Sequence, residues 1–94
     1  MKNNFDISDF VNVDTLQMVK KNLVERVKNK RKKMKISQKK LAEKSGVTYA
    51  SIRRFESMGE ISLTSLLKIA EALNSLSDFN DLFSHITVTS LKDL

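Results

Sequence analysis

Ser37-Gln38-Lys39-Lys40-Leu41-Ala42-Glu43-Lys44-Ser45-Gly46-Val47-Thr48-Tyr49-Ala50-Ser51-Ile52-Arg53-Arg54-Phe55-Glu56 reads as two short helices joined at a glycine. Ser37 can cap a helix running to about Lys44, and Thr48 one running through about Ser57, because a hydroxyl accepts from backbone N–H groups left open in a first turn. Gly46 supplies the positive φ that closing a helix in so few residues demands. Leu41, Ala42, Val47, Ile52 and Phe55 hold the two helices at a steep angle, and Ala42 is small where they approach closely. At about 100° per residue, Thr48, Ile52 and Phe55 share the buried side of the second helix. Ala50, Arg53, Arg54 and Ser57 take the opposite side, with Tyr49 at its N-terminal flank. This is a helix-turn-helix, an arrangement that offers its second helix as a ridge shaped for a major groove.

Outward from this pair, the pattern stays helical. On the N-terminal side, Asp14 with Gln17 has capping-box spacing, and Leu16, Val19, Leu23 and Val27 form an apolar stripe that Met34 rejoins after Lys30. These residues predict a helix over about 15–33. On the C-terminal side, Met58-Gly59-Glu60-Ile61 is a loop, and Ser62 caps a helix with the stripe Leu63, Leu66, Ile69, Ala70 and Leu73. Ser77 starts a fifth helix through about Ser84, expected to bury Phe79, Leu82 and Phe83. Five short helices with short links make an all-α bundle of one domain. The expected organisation is an N-terminal extension over 1–13, the helical domain over 14–84 and a tail over 85–94. Phe5 and Ile7 alternate with polar residues, and Ile86 to Thr89 are β-branched throughout. Each segment reads either as a short strand paired with a partner chain or as a frayed terminus.

Charge is concentrated in the same region. Lys20, Lys21, Arg26, Lys28, Lys30, Arg31, Lys32, Lys33, Lys35, Lys39 and Lys40 are opposed within their window by Glu25 alone. Eleven bases less one acid give a local +10 against +6 for the whole chain of 94 residues, so the remainder is net acidic at −4. Such a single-sign field attracts a polyanion in a salt-sensitive way; the plainer alternative is a solvated helix face whose bases complement the helix dipole. Membrane binding fits poorly, since Lys28 to Lys35 offers only Met34 as an apolar residue.

Composition excludes other classes. No run exceeds two apolar residues, so neither a spanning helix of about 20 residues nor a secretory h-region is expected. The chain has no Cys and a single His, His85, which leaves no thiol nucleophile, no thiolate metal site and no evident acid–base pair. Catalysis, a metal and a cofactor are therefore not expected, and a reducing cytoplasm is. A sequence-blind binder of single strands would display stacking aromatics, yet Phe55, Phe79 and Phe83 fall at core spacings and leave only Tyr49.

The central stretch resembles the helix-turn-helix of the Xre, or phage-repressor-like, family through Ile36-Ser37-Gln38, Leu41-Ala42, Gly46-Val47-Thr48, Ile52 and Glu56. The resemblance extends over five helices, about residues 16–84. It implies a five-helix, lambda-repressor-like domain that binds double-stranded DNA as a homodimeric repressor at an inverted-repeat operator, in the cytoplasm on nucleoid DNA. It also implies roles: Gln38 against the DNA backbone, Tyr49, Ala50 and Arg54 as base readers, and Ser51 and Arg53 on phosphate. With Lys39 for backbone affinity and Thr48 at the helix start, these form the candidate DNA-binding set. Glu60 departs from the pattern, because that loop often carries a base. More narrowly, Arg54-Phe55-Glu56-Ser57-Met58-Gly59-Glu60-Ile61-Ser62-Leu63, Leu73-Asn74 and the ending Thr89-Ser90-Leu91-Lys92-Asp93-Leu94 are similar to HipB-like regulators. That likeness implies, as an alternative, an antitoxin that also binds a HipA-type kinase toxin.

Overall fold

The computed structural model describes residues 13–86. Helix α1 spans Leu16–Lys33, α2 Gln38–Ser45, α3 Tyr49–Met58 and α4 Leu63–Ala72, and a 3₁₀ helix follows at Leu76–Asp81. Every described element is helical. Each α-helix starts from a hydroxyl: Thr15, Ser37, Thr48 and Ser62 accept from the backbone N–H groups of Met18, Lys40, Ser51 and Ser65. The first of these corrects the expectation of Asp14, for the capping oxygen lies one residue later. Both residues carry a suitable oxygen, and spacing alone does not rank them.

The core sits where α2, α3 and α4 converge. Leu41, Ile52, Ile69 and Leu73 are fully buried with Val47, and Val27, Met34, Ile36, Ala42, Ile61 and Ala72 pack around them. Phe55 and Val24 extend this core toward α1. Each such side chain contributes roughly 1.5–3 kcal/mol on leaving water, which is how three short helices that would not persist alone become stable together. Gly46 ends α2 at φ 77° and its N–H donates to the Ala42 carbonyl at 2.9 Å. A β-carbon there would meet nothing within 4 Å, so the demand for glycine is purely one of backbone dihedral.

Three expectations are revised by packing. Leu16 and Val19 are exposed, and Val24 is the apolar residue of α1 that is buried, because only the middle and end of this 18-residue helix lie against the bundle. Thr48 is exposed at the mouth of the turn rather than on the buried side of α3. The expected fifth helix is a six-residue 3₁₀ helix without a side-chain cap; Ser77, Asp78, Asn80 and Asp81 have short polar side chains that compete for the backbone and disfavour a longer helix. Phe79 is half-buried, but Leu82 leaves the turn in extended backbone and Phe83 has φ 60°, so both face solvent. Of the two terminal segments, only Ile86 belongs to the described residues, where it is exposed and outside any strand; Phe5, Ile7 and residues 87–89 lie outside them.

Gly46→Ala forces a β-carbon into left-handed backbone and is expected to cost about 1–2 kcal/mol, with Gly46→Asn costing less, as measured by urea unfolding.

Candidate nucleic-acid interface

The outer face of α3 is built by the inner one. Ile52 and Phe55 lie in the core at a spacing of three, and Glu56, next in sequence, follows them inward. A carboxylate on a buried face needs a cation, and Arg31 of α1 provides it. Arg31 Nε and Nη2 donate to the two Glu56 carboxylate oxygens at 2.7 and 3.0 Å, and Nη1 donates to the Ile36 carbonyl at 2.8 Å. Gln38 completes the set, its Nε2 donating to Glu56 at 2.9 Å. Burial pushes the Glu56 carboxyl up, but the hydrogen bonds from Arg31 and Gln38, with the charges of Arg31 and Lys28, outweigh it and hold the pKa below its usual value. Arg31 thus leaves the group of bases expected to meet a polyanion: it is 8 % exposed and fully engaged.

With the inner face fixed, Tyr49, Ala50, Arg53, Arg54 and Ser57 are exposed on the other side of α3. An open cleft of about 500 Å³ runs along this side, lined by Lys28, Gln38, Ala50, Arg53, Arg54 and Ser57 among others. Lys39 and Arg53 each lie over the Tyr49 ring, at 5.5 and 5.6 Å from its centre. That attraction restrains two long cationic side chains near the start of α3. Thr48 and Ser51 are tied into the cap, the Thr48 hydroxyl donating to the Ser51 hydroxyl at 2.8 Å while accepting from its N–H. The Ser57 hydroxyl donates back to the Arg53 carbonyl.

All eight candidate residues therefore gather around the beginning and outer side of α3. Three participants lie outside that candidate set, although the sequence placed Lys28 and Arg31 among the clustered bases and Glu56 in the family resemblance. Lys28 lines the cleft from α1, a placement that depends on how α1 crosses α3. Arg31 and Glu56 support the face from behind; the signal for Glu56 was its position beside Ile52 and Phe55 on the apolar side. In the loop after α3, Glu60 is ion-paired with Lys20, which holds its carboxyl below the usual range. Gly59, at φ 75°, lies under the Lys20 stem, where a β-carbon would come within 2.8 Å of Lys20 Cε. The loop thus presents an acid matched internally rather than a free base. Among the described residues there is no cluster of His, Cys, Asp and Glu able to hold a metal, and no helix is long and apolar enough to cross a membrane.

A family model described as helix-turn-helix matches residues 27–79. No curated protein and no solved structure matches the chain.

Removing one partner of the buried pair strands the other, so Glu56→Ala is expected to lower stability by about 3–5 kcal/mol in urea unfolding. The pH dependence follows from the depressed pKa. The contribution of Glu56 is complete above the unfolded glutamate pKa of about 4.3 and is lost as pH falls through the lower folded value. The urea midpoint should fall on acidification through that window, and the share of the fall owed to this residue should vanish in Glu56→Gln.

Proposed function

The chain belongs to the Xre-like helix-turn-helix family, with a lambda-repressor-like all-α fold, and is a DNA-binding regulator of transcription; from that premise we propose that it is a sequence-specific repressor. In this reading it binds as a homodimer to an inverted repeat, placing two copies of α3 in major grooves about 34 Å apart, and represses by blocking polymerase access. It does so in the cytoplasm, on nucleoid DNA. The observation that supports the reading best is the α3 outer face itself: Arg53 and Arg54 stand exposed beside Ala50 and Tyr49, on a helix whose opposite side is locked by Ile52, Phe55 and Glu56.

The roles divide by chemistry. Arg54 is suited to bidentate contact with guanine, Ala50 to packing on a thymine methyl and Tyr49 to a base edge. Gln38 has one amide N–H committed to Glu56 and the other available to a phosphate oxygen, so one side chain joins the buried pair to the DNA backbone. Lys39, Arg53, Ser51 and Thr48 surround the same helix start, where phosphate is favoured by the helix dipole. Lys28 joins this set from α1.

The antitoxin reading draws on the sequence between Arg54 and Leu63, and on a tail that lies outside the described residues. Co-purification of a kinase-like neighbour with the full chain, lost when residues 86–94 are removed, would support it, whereas a complex that persists without the tail would move the contact to the helical body.

Selecting bound duplexes from a random DNA pool tests the main reading, which expects a palindromic consensus. On that consensus, Arg54→Ala should cost about 1–3 kcal/mol and relax preference at one base position. Equal loss on consensus and random duplex would remove Arg54 from the base readers. Lys39→Ala should weaken binding to all duplexes alike and reduce the salt slope by about one, as read by fluorescence anisotropy over a salt series.

A further inference from the structure

Away from the α3 face, a second concavity of about 440 Å³ opens between α1, α4 and the 3₁₀ helix. Its walls are apolar: Val19, Leu23 and Val27 on α1, Leu66 on α4, and Phe79 with Leu82 at the 3₁₀ end. It shares no lining residue with the α3 cleft, so both surfaces can be occupied at once. One residue beyond Leu82, the Phe83 ring stands wholly in solvent, 103 % exposed, on backbone at φ 60°. An aromatic side chain in left-handed backbone, with nothing packed on it among the described residues, is a conformation that needs support from outside them. The rim of the groove is also divided by charge. Arg26 and Lys30 line the α1 side and Asp78 the 3₁₀ side, and none of them is ion-paired among the described residues.

A two-fold axis matches each of these features to another. In an isologous contact residue i meets j while j meets i, so a knob beside a hole on one protomer becomes two knob-in-hole contacts. With the axis running along the groove, the same operation sets the basic side of one rim against the acidic side of the other. We propose that this groove is the homodimer interface, occupied by Phe83 of a second copy, with Arg26 and Lys30 facing the second copy's Asp78. The inference rests on the homodimer reading above and gives it a location. It also leaves the recognition helix uncovered, because α3 contributes no residue to the groove.

The test is the mass of the full chain in solution, by sedimentation equilibrium without DNA, with binding to a fluorescent random-sequence duplex as a separate readout. Wild type is expected to dimerise. Phe83→Asn suits the left-handed backbone and removes the knob, so it should raise the dimer dissociation constant by about 30-fold, as for truncation of an interface anchor, with an unchanged circular dichroism spectrum. Arg26→Glu should also weaken the dimer, and adding Asp78→Lys should restore it. A monomeric wild type, as when the chain's own terminal residues fill the groove, overturns the proposal. So does a Phe83→Asn variant that dimerises like wild type, or a failure of Asp78→Lys to rescue. A variant that becomes monomeric yet still binds the random duplex keeps DNA binding and dimerisation separable; loss of duplex binding by wild type would instead overturn the DNA reading while the mass measurement still judges the interface.

Discussion

The ion pair between Arg31 and Glu56 is the constraint on which the functional face depends. It joins α1 to α3, closes the turn at the Ile36 carbonyl and takes in Gln38 at the start of α2. A hydrophobic pair in the same place can hold α3 as firmly, because buried ion pairs repay little more than their desolvation. What apolar side chains lack is direction. The bidentate geometry fixes the rotation of α3 about its own axis, and that rotation determines which side chains reach outward. It also gives the amide of Gln38 one anchored hydrogen, so this side chain at the start of α2 is oriented from within.

Electrostatics is sorted by the same packing. Of the eleven bases between Lys20 and Lys40, Arg31 is consumed by the core, Lys20 is held by Glu60 and Lys40 pairs with Glu43 at 3.5 Å. The others have no ion-pair partner among the described residues, and Lys28 and Lys39 bring part of their charge to the edges of α3. The Tyr49 ring, with Lys39 and Arg53 over it, reduces the freedom of those cations. Charge density in the sequence thus overstates the bases available to a duplex and understates how far some of them are ordered.

Local signals were legible where one residue controls one piece of geometry. Ser37, Thr48 and Ser62 cap helices because a hydroxyl in extended backbone reaches a first-turn N–H, and Gly46 turns the chain because left-handed backbone is open to it. The outward set on α3 followed from helical periodicity alone. The C-terminal end was misread for a physical reason: Phe79, Leu82 and Phe83 have core-like spacing for an α-helix, but six residues rich in Ser, Asp and Asn wind as a 3₁₀ helix, and the change of pitch removes Leu82 and Phe83 from the face on which that spacing placed them.

The sequence by itself determined the all-α class, the helix-turn-helix and the identity of the side chains displayed by α3, since caps, glycine turns and a 3.6-residue period act over a few neighbouring positions. Only the tertiary structure decided that Arg31 turns inward to Glu56, that Lys28 reaches the α3 cleft, and that an apolar groove remains open between α1 and α4. Those outcomes depend on the angles at which distant helices cross, and crossing angles are set by many contacts at once rather than by any local pattern.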